Sequence, residues 1–306
     1  MDRSAQVLER LKGPVVPLNI CFNEDGTVHY EAVEKYVDWL CEQGPVVLLL
    51  TAGSSEFAYL SEKEIYELTA LVGRVNQGRS LYIASTGLWK PSLTRDFLVH
   101  ADRAGADAVK VQISPWMPQT REVIVGYYDF IEGASDIPLL LWVITPPIPL
   151  EVAAELSQRP HIVGMKNDAD PFGYYYDVIR ATRENGFAVV SGGQMRNFAF
   201  GSQVGSTAYL CPIAPFRPDI ALTFYGHTVS GDFASAWEMV YRYEEPWLRW
   251  AIQHGWLAPI NVLTTGEAST ILAALEEAEA RYPEDLHGGH RNNAHLVLPF
   301  LADLAL

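Results

Sequence analysis

The sequence has few cysteines, and none stands in a pattern that binds metal or builds a disulfide framework. Cys21, Cys41 and Cys211 are odd in number and far apart, and no Cys-x-x-Cys or Cys/His cluster accompanies them. We therefore expect no metal site. A reducing cytosol fits this cysteine usage best, and the expected location is cytoplasmic.

Long apolar runs and basic residues are also scarce. No run reaches the ~18 apolar residues of a spanning helix, and the polar start of the chain is unlike a signal peptide, so neither an anchor nor a leader is expected. Lysine and arginine number 22 against 37 acidic residues, which gives a net charge of −15. This balance argues against nucleic acid or an anionic membrane as a partner, so small molecules are the expected partners.

The 306 residues, 49% of them hydrophobic, can bury a large core. Short β-rich runs alternate with longer segments of helical period, which is typical of a parallel sheet covered by helices. There are eight such runs, at 15–22, 46–51, 81–86, 108–113, 138–144, 162–167, 188–192 and 207–212. Eight units of roughly 25 residues predict a closed (β/α)₈ TIM barrel, which typically takes ~250 residues.

Helix signals stand between the runs. One apolar stripe recurs at helical spacing, namely Val33, Tyr36, Val37, Leu40 and Cys41. Ser61 and Glu64 have the spacing of a capping box, which predicts a helix start. Prolines and glycines mark other starts and ends, namely Pro91, Pro149, Pro218, Gly105 and Gly186.

The chain continues past the eighth unit. Segments 232–250, 268–281 and 293–306 have helical period, and we expect them to pack beside the barrel. The simplest division is a barrel over 1–230 and a C-terminal helical region over 231–306, with no long linker, repeat or low-complexity tract.

Chemistry is expected at the carboxyl ends of the strands, where barrels of this kind have their active sites. Lys166 ends the apolar run 162–167. A charged amine is costly to desolvate, so a buried lysine loses its proton more easily than a surface one and can condense with a ketone. The iminium so formed is an electron sink that needs no metal or cofactor. The alternative is that Lys166 reaches solvent or pairs with Asp168 or Asp170.

Two other lysines compete less well. Lys110 lies in mid-strand and is expected to face the helix layer or to join a salt bridge, and Lys90 precedes Pro91 in a polar loop. Gly192 and Gly205 flank the last two strands, where many barrels bind phosphate, although glycines there more often relieve tight turns.

Four segments of the chain are distinctive when they are taken together and in order. They are Asn23-Glu24-Asp25-Gly26, Gly53-Ser54-Ser55-Glu56 followed by Leu60-Ser61-Glu62-Lys63-Glu64, Ala104-Gly105-Ala106-Asp107-Ala108-Val109, and Ile162-Val163-Gly164-Met165-Lys166. In this order, over about 14–225, they resemble the dihydrodipicolinate synthase and N-acetylneuraminate lyase family of class I aldolases. The resemblance implies a Schiff base between Lys166 and pyruvate or another 2-keto acid. It also implies a (β/α)₈ barrel with a C-terminal helical region, usually tetrameric.

The sequence departs from that family at several positions. The usual Gly-Thr-Thr-Gly-Glu after strand two has Gly53 and Ser54 in place of the threonines and Ser55 in place of the second glycine. Trp142 stands where the family has a relay tyrosine, and an indole N–H only donates and does not titrate near neutral pH. The usual Pro-Tyr-Tyr after strand four reads Pro115-Trp116-Met117, and the arginine that often follows strand five has no counterpart.

These departures affect binding and proton transfer differently. Backbone amides of Gly53 and Ser54 can still cradle a carboxylate, and the Ser54 hydroxyl keeps one step of the relay. Loss of the tyrosine is expected to cost ~10²- to 10⁴-fold in rate unless another group substitutes. The candidate substitutes are Ser54, Thr145, Tyr59, Tyr209 and a bound water.

We interpret the chain as a Schiff-base lyase or aldolase with an altered proton relay, and not as a standard dihydrodipicolinate synthase. Lys166 and Ser54 are the predicted catalytic residues. The predicted substrate contacts are Gly53, Ser54, Trp142, Met117 and Leu210. Two alternatives stay open, a catalytically silent barrel that binds a small metabolite and an unrelated phosphate-binding barrel isomerase. We expect a homo-oligomer, either a tetramer or a dimer.

Overall fold

The computed structural model describes residues 2–23, 25–50, 60–87, 90–114, 117–144, 146–168 and 172–253, the last four by their backbone only. Within these ranges eight parallel strands close into a barrel in chain order, with the eighth strand paired to the first. The strands are β1 (Gly13–Pro17), β2 (Val47–Leu49), β3 (Leu81–Ser85), β4 (Ala108–Gln112), β5 (Leu139–Val143), β6 (Ile162–Asn167), β7 (Ala188–Ser191) and β8 (Ala208–Leu210). The predicted (β/α)₈ TIM barrel is confirmed.

One helix precedes the first strand, and the helices after it alternate with the strands and cover the outside of the barrel. They are α1 (Arg3–Arg10), α2 (Tyr30–Glu42), α3 (Glu62–Asn76), α4 (Pro91–Arg103), α5 (Arg121–Ile131), α6 (Leu150–Leu156), α7 (Phe172–Thr182), α8 (Gln194–Gly201) and α9 (Pro218–Ser230). The sequence signals did not predict α1. Val7 of this helix and Leu11 just after it pack into the apolar cluster that fills the barrel interior.

The local helix signals act as expected. In the capping box of α3, the Ser61 side chain accepts the Glu64 N–H at 3.2 Å and the Glu64 carboxylate accepts the Ser61 N–H at 2.8 Å. Pro91 and Pro218 occupy the first positions of α4 and α9, where a missing N–H costs nothing. Gly105, with φ +86°, turns the chain out of α4 in the left-handed region.

Successive residues of a strand point alternately into two apolar layers, one inside the barrel and one between the strands and the helices. In β4, Ala108 belongs to the cluster inside the barrel, whereas Val109 and Val111 pack in the layer between strands and helices. Lys110 therefore shares the inward face with Ala108. The prediction that Lys110 faces the helix layer or joins a salt bridge is wrong, because strand alternation directs it inward and no ion pair involves it among the described residues.

The chain after the barrel is helical at first. The predicted helix over 232–250 is found as α10 (Phe233–Met239), a π-helical segment (Val240–Glu244) and α11 (Glu245–Gln253). The predicted helices over 268–281 and 293–306 lie outside the described residues, so the division at residue 230 stays a prediction. None of the helices in the described part of the chain combines the length and the apolar character needed to cross a membrane.

Candidate active site

Lys166 lies near the carboxyl end of β6 and is 4% exposed. It stands in register with Trp142 of β5 on one side and with Val190 of β7 on the other. Two residues earlier, a Cβ on Gly164 would come within 2.4 Å of the Ala188 carbonyl oxygen. The glycine therefore lets β6 approach β7 closely.

The Lys166 amine forms an ion pair with the Asp168 carboxylate, and both groups are largely shielded from water. The side chain of Lys166 is 6% exposed and that of Asp168 is 23% exposed. The same carboxylate oxygen accepts the indole N–H of Trp142, while the Asp168 backbone N–H donates to the Val143 carbonyl at 2.7 Å. The pairing of Lys166 with Asp168, one of the alternatives that the sequence left open, is thus confirmed.

Gly192 makes room for this carboxylate. A Cβ at Gly192 would lie 1.7 Å from Asp168 Oδ1 and 2.5 Å from the Asn167 carbonyl oxygen, and the Gly192 N–H already donates to that carbonyl at 2.8 Å. A glycine is needed here for close approach of Asp168 to the end of β7. Phosphate would meet a like charge at this position, which disfavours the phosphate interpretation of Gly192.

A second amine lies in the same part of the barrel. The Lys110 side chain is 1% exposed, and its Nζ lies 3.2 Å from the centroid of the Trp142 ring, compared with 5.5 Å for Lys166 Nζ. Burial first, and the charge of Lys166 second, hold the pKa of Lys110 well below its usual 10.5, against the opposing charge of Asp168. Among the residues that the structure describes, the site therefore contains two amines, one carboxylate and one indole.

Two predicted substrate contacts are within the described residues besides Trp142. Leu210 ends β8, is 8% exposed and packs in the interior cluster beside Val15. Met117 follows β4, and its half-buried side chain packs against the layer between strands and helices. Their contact with a substrate, like that of Trp142, stays a prediction.

The remaining predicted residues either lie outside the described ranges or make a different interaction. The predictions for Gly53, Ser54, Tyr59 and Thr145, like the Asp170 alternative, lie outside the described residues. Tyr209 is wrong as a candidate relay group, because its hydroxyl donates to the Ala221 carbonyl at 2.7 Å in the layer outside the barrel. Among the described residues, no group of three or more His, Cys, Asp or Glu side chains could hold a metal ion.

The sequence interpretation misplaced one member of this site and gave another no part in the chemistry. Asp168 was considered only as a neutralising partner, and Lys110 was assigned to the wrong face. The signal that locates Lys110 is the alternation of β4, in which Ala108, Lys110 and Gln112 share one face.

The fold and this site define a (β/α)₈ barrel with a buried lysine near the carboxyl end of its sixth strand. The chain belongs to the Dihydrodipicolinate synthetase family, whose family model it matches over residues 10–273. It is 26% identical over 234 residues to an uncharacterized DapA-like lyase of Pyrococcus furiosus, covering 75% of this chain and 78% of that protein. To the 4-hydroxy-tetrahydrodipicolinate synthase of Neisseria meningitidis it is 25% identical over 233 residues, covering 75% and 79%.

Solved structures agree in fold. Dihydrodipicolinate synthase from Bacillus clausii superposes with a TM-score of 0.79 at 21% identity, covering 98% of this chain and 100% of that chain. The family member YagE from E. coli K12, solved in complex with pyruvate, gives a TM-score of 0.73 at 18% identity, covering 82% and 86%. At these identities the likeness establishes the architecture.

Proposed function

We propose that the protein is a Schiff-base lyase or aldolase in which Lys166 condenses with pyruvate or another 2-keto acid. The observation that carries this proposal is the buried amine of Lys166 near the carboxyl end of β6, held beside the Asp168 carboxylate. Membership of a family that includes lyases supports the reaction type. The pyruvate bound to the E. coli relative supports the substrate class.

Condensation conserves charge at the site. A protonated Lys166 gives up one proton before it adds to the C2 carbonyl, and that proton returns as water is expelled, so the product is an iminium that again carries one positive charge. Asp168 pairs with the ammonium beforehand and can pair with the iminium afterwards, so the cation stays compensated throughout. The iminium then withdraws electrons from the adjacent carbon, where a carbon–carbon bond forms or breaks.

The proton relay of this enzyme differs from the usual one. Trp142 occupies the position of the relay tyrosine, and its single N–H is already donated to Asp168. An indole in this arrangement neither supplies nor accepts the protons of the reaction. We assign Trp142, together with Met117 and Leu210, to the apolar wall of the substrate site. Gly53 and Ser54 are proposed to bind the substrate carboxylate, with Ser54 as the surviving hydroxyl of the relay.

A catalytically silent barrel that binds a small metabolite is the second candidate. The engagement of the Trp142 N–H with Asp168 favours it, because that indole cannot replace the tyrosine as a proton carrier. A silent barrel would bind a keto acid, and form an imine, without converting it.

Borohydride trapping distinguishes these functions. The protein is incubated with pyruvate and with other 2-keto acids, reduced with borohydride and mapped by peptide mass spectrometry. Release of pyruvate from 4-hydroxy-2-keto acids is followed in parallel. We expect a reduced adduct on Lys166 and measurable turnover, with both lost in Lys166→Met. Lys63→Met is the matched control, since the Lys63 side chain is 82% exposed on α3.

The other possible results of this experiment favour the silent barrel or overturn the proposal. An adduct on Lys166 without turnover of any tested substrate supports the silent barrel. Absence of an adduct, together with full binding or turnover in Lys166→Met, overturns the proposal. Assembly as a dimer or tetramer is a further part of the proposal, and light scattering of the purified chain measures it.

A further inference from the structure

Lys110 is a buried amine to which neither the resemblance nor the proposed reaction assigns a role. Its inward position follows from strand alternation, and its side chain is almost fully enclosed. A lysine so placed is rare, because an unpaired ammonium in a barrel interior is costly. Its presence at the level of the reactive site calls for a chemical account.

In the described part of the chain, the surroundings of Lys110 contain one like charge and one opposite charge. Ser85 of β3 and Leu140 of β5 stand in register with it, and the indole of Trp142 lies against its amine. The charged groups that act on it are Lys166 and Asp168. Within the described part of the chain, its Nζ has no hydrogen-bond partner. Because Asp168 is already paired with Lys166, a second ammonium would be uncompensated, which favours the neutral form of the Lys110 amine.

A neutral amine here can exchange a proton with Lys166 at no change in the net charge of the site. With the proton on Lys166, the three ionisable groups carry one positive and one negative charge. With the proton on Lys110, they carry the same charges. The Trp142 ring lies closer to Lys110 Nζ, at 3.2 Å, than to Lys166 Nζ, at 5.5 Å, so its face stabilises the cation after transfer.

Asp168 is the weaker candidate for this exchange. In water an aliphatic amine is a far stronger base than a carboxylate, with ordinary pKa values near 10.4 and 3.9 respectively. Asp168 is also already engaged, because one of its carboxylate oxygens accepts hydrogen bonds from both the Lys166 amine and the Trp142 indole.

We propose that Lys110 is the proton partner of Lys166, taking the proton that makes Lys166 nucleophilic and returning it during dehydration of the carbinolamine. This inference rests on the proposed function for its chemical purpose. In place of a titrating tyrosine, the site uses a second amine, and Trp142 serves as the surface that supports its charge.

The steps balance without an external reagent. First, the Lys166 ammonium gives one proton to the Lys110 amine. Second, the neutral Lys166 amine adds to the C2 carbonyl, and one N–H proton moves to the oxygen, which yields the carbinolamine. Third, the Lys110 ammonium protonates the hydroxyl, water leaves, and the Lys166 iminium remains with Lys110 neutral again. The net change is one ammonium and one carbonyl converted to one iminium and one water.

The first arm of the test needs no substrate. The full chain is labelled with ¹³C at lysine Cε and titrated by NMR, with resonances assigned by Lys110→Met and Lys166→Met. We expect Lys110 to titrate well below the surface lysines in the wild type. In Lys166→Met its midpoint should rise, because a like charge is removed and Asp168 is released. A Lys110 resonance that titrates with the surface lysines, or that does not respond to Lys166→Met, overturns the proposal.

The second arm measures imine formation with pyruvate by rapid quenching in borohydride across a pH series. In Lys110→Met we expect the rate at neutral pH to fall ~10²-fold or more, as for loss of a general base. The rate should then rise with hydroxide concentration, while Lys63→Met follows the wild type. A rate and pH profile within a few-fold of wild type in folded Lys110→Met contradicts the proposal. If the wild type forms no imine, the proposed function fails, and the NMR arm still decides whether the two amines share a proton.

Discussion

The Lys110 amine lies 3.2 Å from the centroid of the Trp142 ring. The same indole donates its N–H to Asp168, and its ring lies 5.5 Å from the Lys166 amine. One side chain thus contacts all three ionisable groups found in the described part of the site, two through its ring and one through its N–H. The tryptophan organises the charges around Lys166 although it cannot itself carry a proton.

Lys110→Met should make the protein more stable. Methionine has a similar length and no polar group, so the variant removes a buried amine that has no hydrogen-bond partner among the described residues. We expect the free energy of unfolding at neutral pH to rise by about 1–3 kcal/mol. Urea unfolding of Lys110→Met, wild type and the surface control Lys63→Met measures this difference.

The stability that Lys110→Met gains over the wild type should depend on pH, in a direction that follows from the lowered pKa of Lys110. In the folded chain the pKa of Lys110 lies well below 10.5, so between these values the unfolded chain binds one more proton than the folded chain. Wild-type stability therefore rises with pH across this window, by up to about 1.4 kcal/mol per pH unit, and the advantage of Lys110→Met shrinks as pH approaches 10.5. An advantage that is constant from neutral pH to pH 10 would show that Lys110 is charged in the folded protein.

The ring of Trp142 can be tested separately from its N–H. Trp142→Phe and Trp142→Leu both lose the hydrogen bond to Asp168, but only phenylalanine keeps an aromatic face beside Lys110. Support of a cation by a ring is worth about 0.5–2 kcal/mol, so imine formation should be about 2- to 30-fold slower in Trp142→Leu than in Trp142→Phe. Equal rates in two folded variants would rule out support through the ring.

The barrel could be predicted from sequence because its signals are local. Strand runs, the Ser61–Glu64 capping box and the helix-starting prolines each depend on a few neighbouring residues. Lys166 could be nominated in the same way, since it ends an apolar run at the active edge of such a barrel.

The other parts of the site could not be predicted in this way. Their positions depend on which strand face a residue occupies and on how the loops fold back over the end of the barrel. Lys110, in mid-strand, is expected from the sequence to face the helix layer or to join a salt bridge, although alternation with Ala108 places it inward. Tyr209 failed for the same reason, because its neighbours Ala208 and Leu210 occupy the inner face and leave it the outer one. The choice of Asp168 as the partner of Lys166 depends on the close turn at Gly192, which the spacing of residues does not encode.

Gly192→Ala should disturb the site through Asp168. The added Cβ would collide with Asp168 Oδ1 and the Asn167 carbonyl, so the carboxylate must move away from Lys166. We expect a loss of about 1–3 kcal/mol in stability from overpacking, together with slower adduct formation on Lys166. Gly126→Ala is the control, because a Cβ at this exposed position of α5 meets no atom within 4 Å. Adduct formation in Gly192→Ala at the wild-type rate would contradict the role given to the glycine.

Glu244 should make stability depend on pH near neutrality. This buried carboxyl accepts the N–H groups of Met195 at 2.6 Å and Arg196 at 2.9 Å at the start of α8. Burial raises the pKa of Glu244 to about 7 from 4.5, against the opposing effect of those N–H donors. Between these values the folded chain binds the extra proton, so stability falls as pH rises through this window, by on the order of 3 kcal/mol.

Urea unfolding at pH 5 and pH 8 checks this contribution. Glu244→Gln cannot titrate, so the wild type should lose stability relative to this variant on going from pH 5 to pH 8. Glu238→Gln, at an exposed position of α10, should track the wild type at both values. A difference between wild type and Glu244→Gln that does not change with pH would mean that Glu244 ionises below pH 5 in the folded chain.

The most direct test of the central claim is the crystal structure of the protein soaked with pyruvate and reduced with borohydride. We predict continuous density from Lys166 Nζ to C2 of the ligand, with Asp168 beside the secondary amine so formed. Density that joins the ligand to Lys110, or a bound pyruvate whose C2 is not attached to Lys166, would contradict this account.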